Sequence, residues 1–243
     1  MKPLFFKIKN FLLDLFFPSF CLNCQREGSF FCQDCLSLIE TSRAQYCPFC
    51  KKPKIVSGEI KCLFCQKNKS LDSLFAAASY QNPLLKRAIF LLKYKPFVKE
   101  LAKPLSFLII KHFQLLDYPP SFLRNKNGFV LIAVPLSKKK LKKRGFNQSE
   151  EIAKELSRFL EIPLYNKVLL KTREALSQTG LNKEERIKNV EGAFLVQNKE
   201  KIENKKVLLV DDVFTTGATM EECAKVLKKA GAERVIGVAL ARE

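Results

Sequence analysis

Two acids, Asp211 and Asp212, stand side by side at the close of the apolar run KVLLVDD (206–212). Val213 and Phe214 follow, then Thr215, Thr216, Gly217, Ala218 and Thr219, and then a helix-forming stretch. A hydroxyl-rich turn that enters a helix is an anion cradle. Its backbone N–H groups and the helix N-terminus point at the ligand, and the threonine hydroxyls add donors. Gly217 lets the backbone approach closely. Two carboxylates beside such a cradle repel a bare phosphate. They suit a ligand that presents sugar hydroxyls, or a magnesium ion, next to its phosphate. The spacing points to a ribose and a phosphate at opposite ends of one short site.

A second constellation lies near the N-terminus. Eight of the nine cysteines fall within residues 21–65 as four Cys-x2-Cys pairs: Cys21/Cys24, Cys32/Cys35, Cys47/Cys50 and Cys62/Cys65. Each pair turns two sulfurs toward one centre, and two pairs complete a closed thiolate site for zinc. Sequential pairing gives one site from Cys21, Cys24, Cys32 and Cys35 and a second from Cys47, Cys50, Cys62 and Cys65. An interleaved pairing uses the same spacing. A disulfide scaffold would need an oxidising compartment, and the start, MKPLFFKIKNFLLDLFFPSF, shows no small-residue cleavage site. An iron–sulfur cluster takes the same ligands, but two complete four-thiolate sets favour zinc. Such closed sites are structural and supply folding energy to a segment too short for its own core. The ninth, Cys223, lies on the apolar face of the last helix and reads as core.

The elements that must position these groups follow from periodicity. LFAAASY (74–80) reads as a strand. The stretch 83–94 reads as a helix with Leu84, Leu85, Ala88, Ile89, Leu91 and Leu92 inward. Residues 98–113 read as helical, with Pro104 bending the helix or starting a second one. His112, the only histidine, reads as a surface or packing residue. FVLIAV (129–134) is a strand, followed by a loop and a helix over 148–160 with Ile152, Ala153, Leu156, Phe159 and Leu160 inward. Asn147 and Glu150 form a capping-box pattern at its start. Strands at 167–172, 206–212 and 234–240 and a helix over 219–230, with Met220, Cys223, Ala224, Leu227 and Ala230 inward, complete the pattern. Continuous apolar strands alternating with helices predict an α/β fold with a parallel sheet covered on both faces. Ligands of such sheets bind at the carboxyl ends of the strands, where Asp211 and Asp212 fall.

The stretch Val207–Thr219 resembles the phosphoribosyl pyrophosphate motif of type I phosphoribosyltransferases: four apolar residues, two acids, two variable residues and a Thr-Gly-x-Thr-like turn. The resemblance implies that Asp211 and Asp212 bind ribose hydroxyls and that Thr215 through Thr219 wrap the 5-phosphate, with Mg2+ accompanying the ligand. LLDLFFPSFCLNC (12–24), KKRGFNQSEEIAKEL (142–156) and KTREALSQTGLNKEERIKNVEGAF (171–194), in this order, together with Lys93-Tyr94-Lys95, resemble the ComF family of competence proteins. Members join an N-terminal cysteine zinc module to a phosphoribosyltransferase-like domain. The implied organisation is an amphipathic helical lead over 1–20, a double four-cysteine, zinc-ribbon-like module over 21–70 and a type I phosphoribosyltransferase-like domain over 71–243. The implied role is cytoplasmic handling of single-stranded DNA in natural transformation, with peripheral attachment to the inner membrane through a DNA-translocation partner. No apolar run is long enough to span a bilayer.

Three further features bear on that role. The net charge is +19, spread over the whole chain, which attracts polyanions, although a lysine-rich composition alone produces the same figure. Six basic residues crowd into 138–144. The fold resemblance makes Val134, Pro135, Leu136 and Ser137 a candidate pyrophosphate loop. Lys138, Lys143, Arg144, Gly145, Phe146, Asn147 and Gln148 either extend it or form a groove that grips a nucleic-acid backbone and stacks bases; a solvated charged loop is the plain alternative. Arg173, Gln178, Arg186 and Asn189 are candidates for a loop that closes over the ligand, or belong to a helix over 183–189 capped by Asn182 with Glu185. Three functions fit: a DNA-handling competence factor, a working phosphoribosyltransferase with an unspecified acceptor, and a nucleic-acid-binding regulator that senses phosphoribosyl pyrophosphate.

Overall fold

The computed structural model of the protein describes residues 18–50, 54–56, 60–116, 120–173, 185 and 189–243, with residues 66–68 as backbone alone. Most of the expected 1–20 lead lies outside these residues. The cysteine-rich part holds a short helix, α1 (Gln33–Ser37), and a two-stranded antiparallel hairpin of β1 (Gln45–Tyr46) and β2 (Ile55–Val56). Then come β3 (Ser73–Ser79), α2 (Pro83–Lys93), α3 (Ala102–Leu115), α4 (Ser121–Arg124) and β4 (Phe129–Ala133). Helices α5 (Lys138–Arg144) and α6 (Gln148–Leu160) lead to a second small hairpin, β5 (Leu169–Lys171) and β6 (Phe194–Val196). The chain ends with β7 (Lys206–Phe214), α7 (Ala218–Lys229) and β8 (Arg234–Arg242).

Four strands form the central sheet in the order β3-β8-β7-β4, every pair parallel. The uninterrupted apolar runs have a simple cause: both faces are buried. Leu208 and Val210 of β7 pack with α2, α3 and α6, while Val207 and Leu209 pack with α7 and with Leu169 and Phe194 of the small hairpin. Asn82 accepts from the Leu85 N–H at 3.0 Å to cap α2, with Pro83 in the first turn. Pro104 sits third in α3, where its missing N–H has no intrahelical acceptor, so it opens the helix and does not bend it.

Three sequence expectations need correction. The 167–172 strand is not in the parallel sheet; residues 169–171 pair antiparallel with β6, a three-residue partner too short to show periodicity. The loop after β4 contains α5, closed by Gly145 at φ +83°. Phe159 is 49% exposed and does not join the core face of α6. Ala230, at the cap of α7, is half-buried and packs against the core as expected. His112 is fully buried: its Nδ1 lies 2.8 Å from the Ser42 carbonyl and its ring meets Phe75 and Phe113. Cys223 is buried in the α7 face of the core.

The cysteine-rich part leans on the sheet. Cys21, Phe31, Cys35, Leu36 and Ile39 join the same apolar cluster as α2, α3 and α6, and the Ser42 N–H donates to the Ala77 carbonyl at 2.7 Å.

Candidate ligand site and cysteine centres

Strand β7 runs on through the acid pair, so Asp211 and Asp212 point to opposite sides of the sheet. Asp212 continues the side of Leu208 and Val210. There it meets Lys93, the last residue of α2, at 2.9 Å between Nζ and Oδ1. The same Oδ1 accepts from the Val213 N–H at 2.6 Å. Asp212 is 3% exposed, and its Oδ2 is buried without a partner. A buried carboxylate oxygen with no donor is costly unless a ligand supplies one. Burial opposes the charge on Lys93, but the Asp212 carboxylate and their hydrogen bond outweigh it and hold Lys93 above its ordinary value.

Asp211 is only half-buried at the strand end. Its Oδ1 accepts from Ser149 Oγ at 2.8 Å and from the Asp212 N–H at 2.9 Å. Burial, and then the charge of Asp212, push its carboxyl up to about 7; Lys93 and the two donors pull the other way. Ser149 is fully buried at the start of α6. Asn147 places it there: Asn147 Oδ1 accepts from the Ser149 N–H at 3.1 Å, and its Nδ2 donates to the Val134 carbonyl at 3.0 Å. The other half of the expected capping box is absent, because Glu150 pairs with Lys154.

Beyond β7, Thr215 and Thr216 are half-exposed and Gly217 starts α7 with φ +78°. A Cβ at Gly217 would fall 2.5 Å from Cζ of Phe214, whose ring fills the inside of the turn. Only glycine fits both the backbone and the space. The result is a tight turn ahead of a helix, in which the Thr216 hydroxyl accepts from the Ala218 N–H at 3.4 Å.

Among the other candidates, Val134 and Ser137 are buried while Pro135 and Leu136 are half-exposed. Ser137 caps α5 by accepting from the Lys140 N–H at 3.4 Å. Lys138 and Lys143 are exposed. Arg144 bonds Gln148, and burial lowers its pKa despite the nearby charge of Asp212. Asn147 and Gln148 are buried and Phe146 packs against the core, so these three do not present amides and a ring to a base. Arg173 donates to the Glu191 carbonyl at 2.7 Å and Asn189 is helical together with Val190; Gln178 and Arg186 lie outside the described residues. A cavity of about 680 Å³ adjoins the acid pair without including it, lined in part by Pro135, Ser137, Lys138, Asn147, Lys171 and Arg173.

The two cysteine sets assemble sequentially. Cys21, Cys24, Cys32 and Cys35 converge, as do Cys47, Cys50, Cys62 and Cys65, with all sulfurs of each set within 4.8 Å of one another. Cys24 and Cys32 sulfurs are 3.5 Å apart, Cys50 and Cys62 3.5 Å, and Cys50 and Cys65 3.8 Å. Four thiolates around a tetrahedral zinc at ~2.3 Å would stand ~3.8 Å apart, so both sets fit a metal ion.

Lys93 and Ser149 escaped sequence reasoning as site residues. Each lies on a helix, 119 and 62 positions before its partner. The lone hint was Lys93 within the family-like Lys-Tyr-Lys segment.

The phosphoribosyl transferase domain family matches residues 141–243, a span that takes in Ser149, the acid pair and the turn but not Lys93 or the paired cysteines. The chain is 29% identical over 221 residues to Competence protein ComFC of Streptococcus pneumoniae, covering 90% of each. It is 31% identical over 209 residues to DNA utilization protein YhgH of Escherichia coli O157:H7, covering 84% of this chain and 86% of the relative. Competence protein F of Haemophilus influenzae is 38% identical over 113 residues, 46% of this chain and about half (49%) of the relative. With matches of this extent, a parallel sheet ending in the acid pair and two cysteine sets ahead of it, the chain belongs to the ComF family.

Proposed function

We propose that this protein binds phosphoribosyl pyrophosphate with Mg2+ at residues 211–219 and handles single-stranded DNA during DNA uptake. The observation that carries the first half is the buried, unpartnered Oδ2 of Asp212 directly ahead of the Gly217 turn. A ribose hydroxyl would satisfy that oxygen while the 5-phosphate takes the turn. The Lys93 ammonium, already on Asp212, disfavours a bare divalent cation there. The donor set therefore suits hydroxyls, with Mg2+ carried by the diphosphate of the ligand. The relatives' names, competence protein and DNA utilization protein, support the second half. So does helix α5, six of whose seven residues are basic and none of which is buried. Zinc in the two cysteine sets would hold the N-terminal part in shape. Among the described residues no helix is long and apolar enough to cross a membrane; attachment to the inner membrane would pass through a translocation partner.

A second reading, phosphoribosyl transfer to an acceptor, draws on the cavity beside the acid pair, where Lys138, Lys171 and Arg173 offer charge for a leaving pyrophosphate. Calorimetry of the zinc-loaded protein with phosphoribosyl pyrophosphate and Mg2+ tests the site: magnesium-dependent binding, lost in Asp212→Ala, is expected, and unchanged affinity in that variant refutes the assignment. Neutralising Lys142, Lys143 and Arg144 should weaken single-stranded DNA binding and flatten its salt slope; an unaltered slope removes α5 from the interface.

A further inference from the structure

We propose that the second cysteine set, acting through Arg242 and Glu221, positions the 215–219 turn, so that metal binding at Cys47, Cys50, Cys62 and Cys65 is linked to ligand binding at the turn. The proposal rests on the reading of that turn as the phosphate site.

Two routes join the places. Arg242, the last residue of β8, donates from Nη1 to the carbonyl of Cys47 at 3.1 Å. Its guanidinium stands 6.0 Å from the centroid of the Phe214 ring, and that ring fills the space over Gly217. A thiolate residue, a cation, a ring and the turn glycine thus form one continuous line of contact. The second route starts in the first turn of α7. The Glu221 carboxylate accepts from the Ser70 N–H at 2.7 Å and the Leu71 N–H at 3.1 Å, a few residues beyond Cys65. An acid so close to an anion-binding helix end would oppose a phosphate. Held by two amides, it faces the cysteine-rich part instead. Lys61, next to Cys62, is buried, donates to the Lys69 carbonyl at 2.5 Å and lies within electrostatic reach of Glu221.

The first set is placed differently. Cys21 and Cys35 pack into the cluster on the other face of the sheet, with α2, α3 and α6. The two sets therefore have different jobs: the first docks the N-terminal part, and the second braces the turn. Arg242 and Glu221 are positioning residues that act through Phe214 and α7. By linkage, if metal in the second set favours the ligand-binding turn, the ligand must favour retention of that metal by the same factor.

Two measurements on the full, zinc-loaded chain test this. The first is amide hydrogen exchange over 215–222 in Cys62→Ser/Cys65→Ser, Cys24→Ser/Cys32→Ser, Arg242→Met and Glu221→Gln proteins. Exchange at the turn should rise about tenfold in the second-set variant and in both strap variants, and stay unchanged in the first-set variant, a coupling within the usual range for linked sites. Loss of protection in both cysteine variants alike, or in neither, overturns the proposal. Because a cysteine variant can fail to fold, Glu221→Gln and Arg242→Met carry the test independently, and native exchange at the turn in both refutes it. The second is zinc release to a chromogenic chelator with and without phosphoribosyl pyrophosphate and Mg2+. The ligand should slow release from the second set about tenfold in wild type and have no effect in Arg242→Met/Glu221→Gln, which lacks both routes. If calorimetry shows the ligand bound and release is unchanged, the linkage fails. If no ligand binds yet the exchange pattern holds, the ligand assignment fails and the brace stands.

Discussion

Replacing Asp211 by asparagine removes one charge from the acid pair and can leave its hydrogen bonds in place, because an amide oxygen can accept from Ser149 Oγ and the Asp212 N–H as the carboxylate Oδ1 does. In the native protein burial and the Asp212 charge raise this carboxyl from 3.8 to about 7. A rise of roughly 3 units corresponds to a ceiling of ~4 kcal/mol at ~1.4 kcal/mol per unit. Asp211 is part-exposed at the strand end, and screening there brings the expected figure to about 2 kcal/mol. The sign follows from proton binding. The folded carboxyl keeps its proton to higher pH than the unfolded one, so from pH 3.8 to about 7 the folded state binds more protons and stability falls as pH rises. Asparagine has no such loss. Asp211→Asn should therefore be more stable than wild type by about 2 kcal/mol at pH 8, with about half of that gap opening above pH 5.5. Urea unfolding followed by circular dichroism, at matched zinc content across pH 5.5–8, measures it. The same variant should lose phosphoribosyl pyrophosphate binding, the expected trade for a charge kept for a ligand. A variant no more stable than wild type at pH 8, or a gap that does not widen with pH, refutes the reasoning.

Lys93→Met strands the Asp212 carboxylate in a site with 4% side-chain exposure. Removing one partner of a buried pair costs ~3–5 kcal/mol, and the 23% exposure of Lys93 lowers the expectation to about 2–3 kcal/mol in urea unfolding. The double variant Lys93→Met/Asp212→Asn should recover most of it; no recovery would mean that Lys93 acts through packing alone. Gly217→Ala forces a left-handed backbone on a residue with a Cβ, about 1–2 kcal/mol, and drives that Cβ to 2.5 Å from the Phe214 ring. Ligand affinity should fall with stability, and Phe214→Leu in the same chain should restore part of the stability.

How much of this was legible in the sequence depended on connectivity. Asp211 to Thr219 is one strand–turn–helix, so chain order alone sets the acids ahead of the turn, and the expected succession of elements is present. The cysteine sets were legible for a related reason: each Cys-x2-Cys turn is local, and only the choice between sequential and interleaved pairing waited for the fold. Helix α5 was hidden because a run of lysines and one leucine has no apolar face to betray a helix, although Ser137 and Gly145 mark its ends. Asn147 and Gln148 misled in the opposite way. Their amides suggested exposure to bases, but Asn147 caps α6 and ties it to Val134, and Gln148 is buried and accepts from Arg144. Lys93 shows the limit most clearly. A lysine in the last turn of a helix is sufficiently explained by the helix dipole, and nothing in its neighbours asks for another partner. Its pairing with Asp212 exists because the strand order β3-β8-β7-β4 brings β7 within reach of the helix that follows β3. An acid pair and the turn after it can be written in consecutive residues, whereas the cation that pairs with Asp212 comes from a helix end 119 positions earlier, where no local pattern marks it.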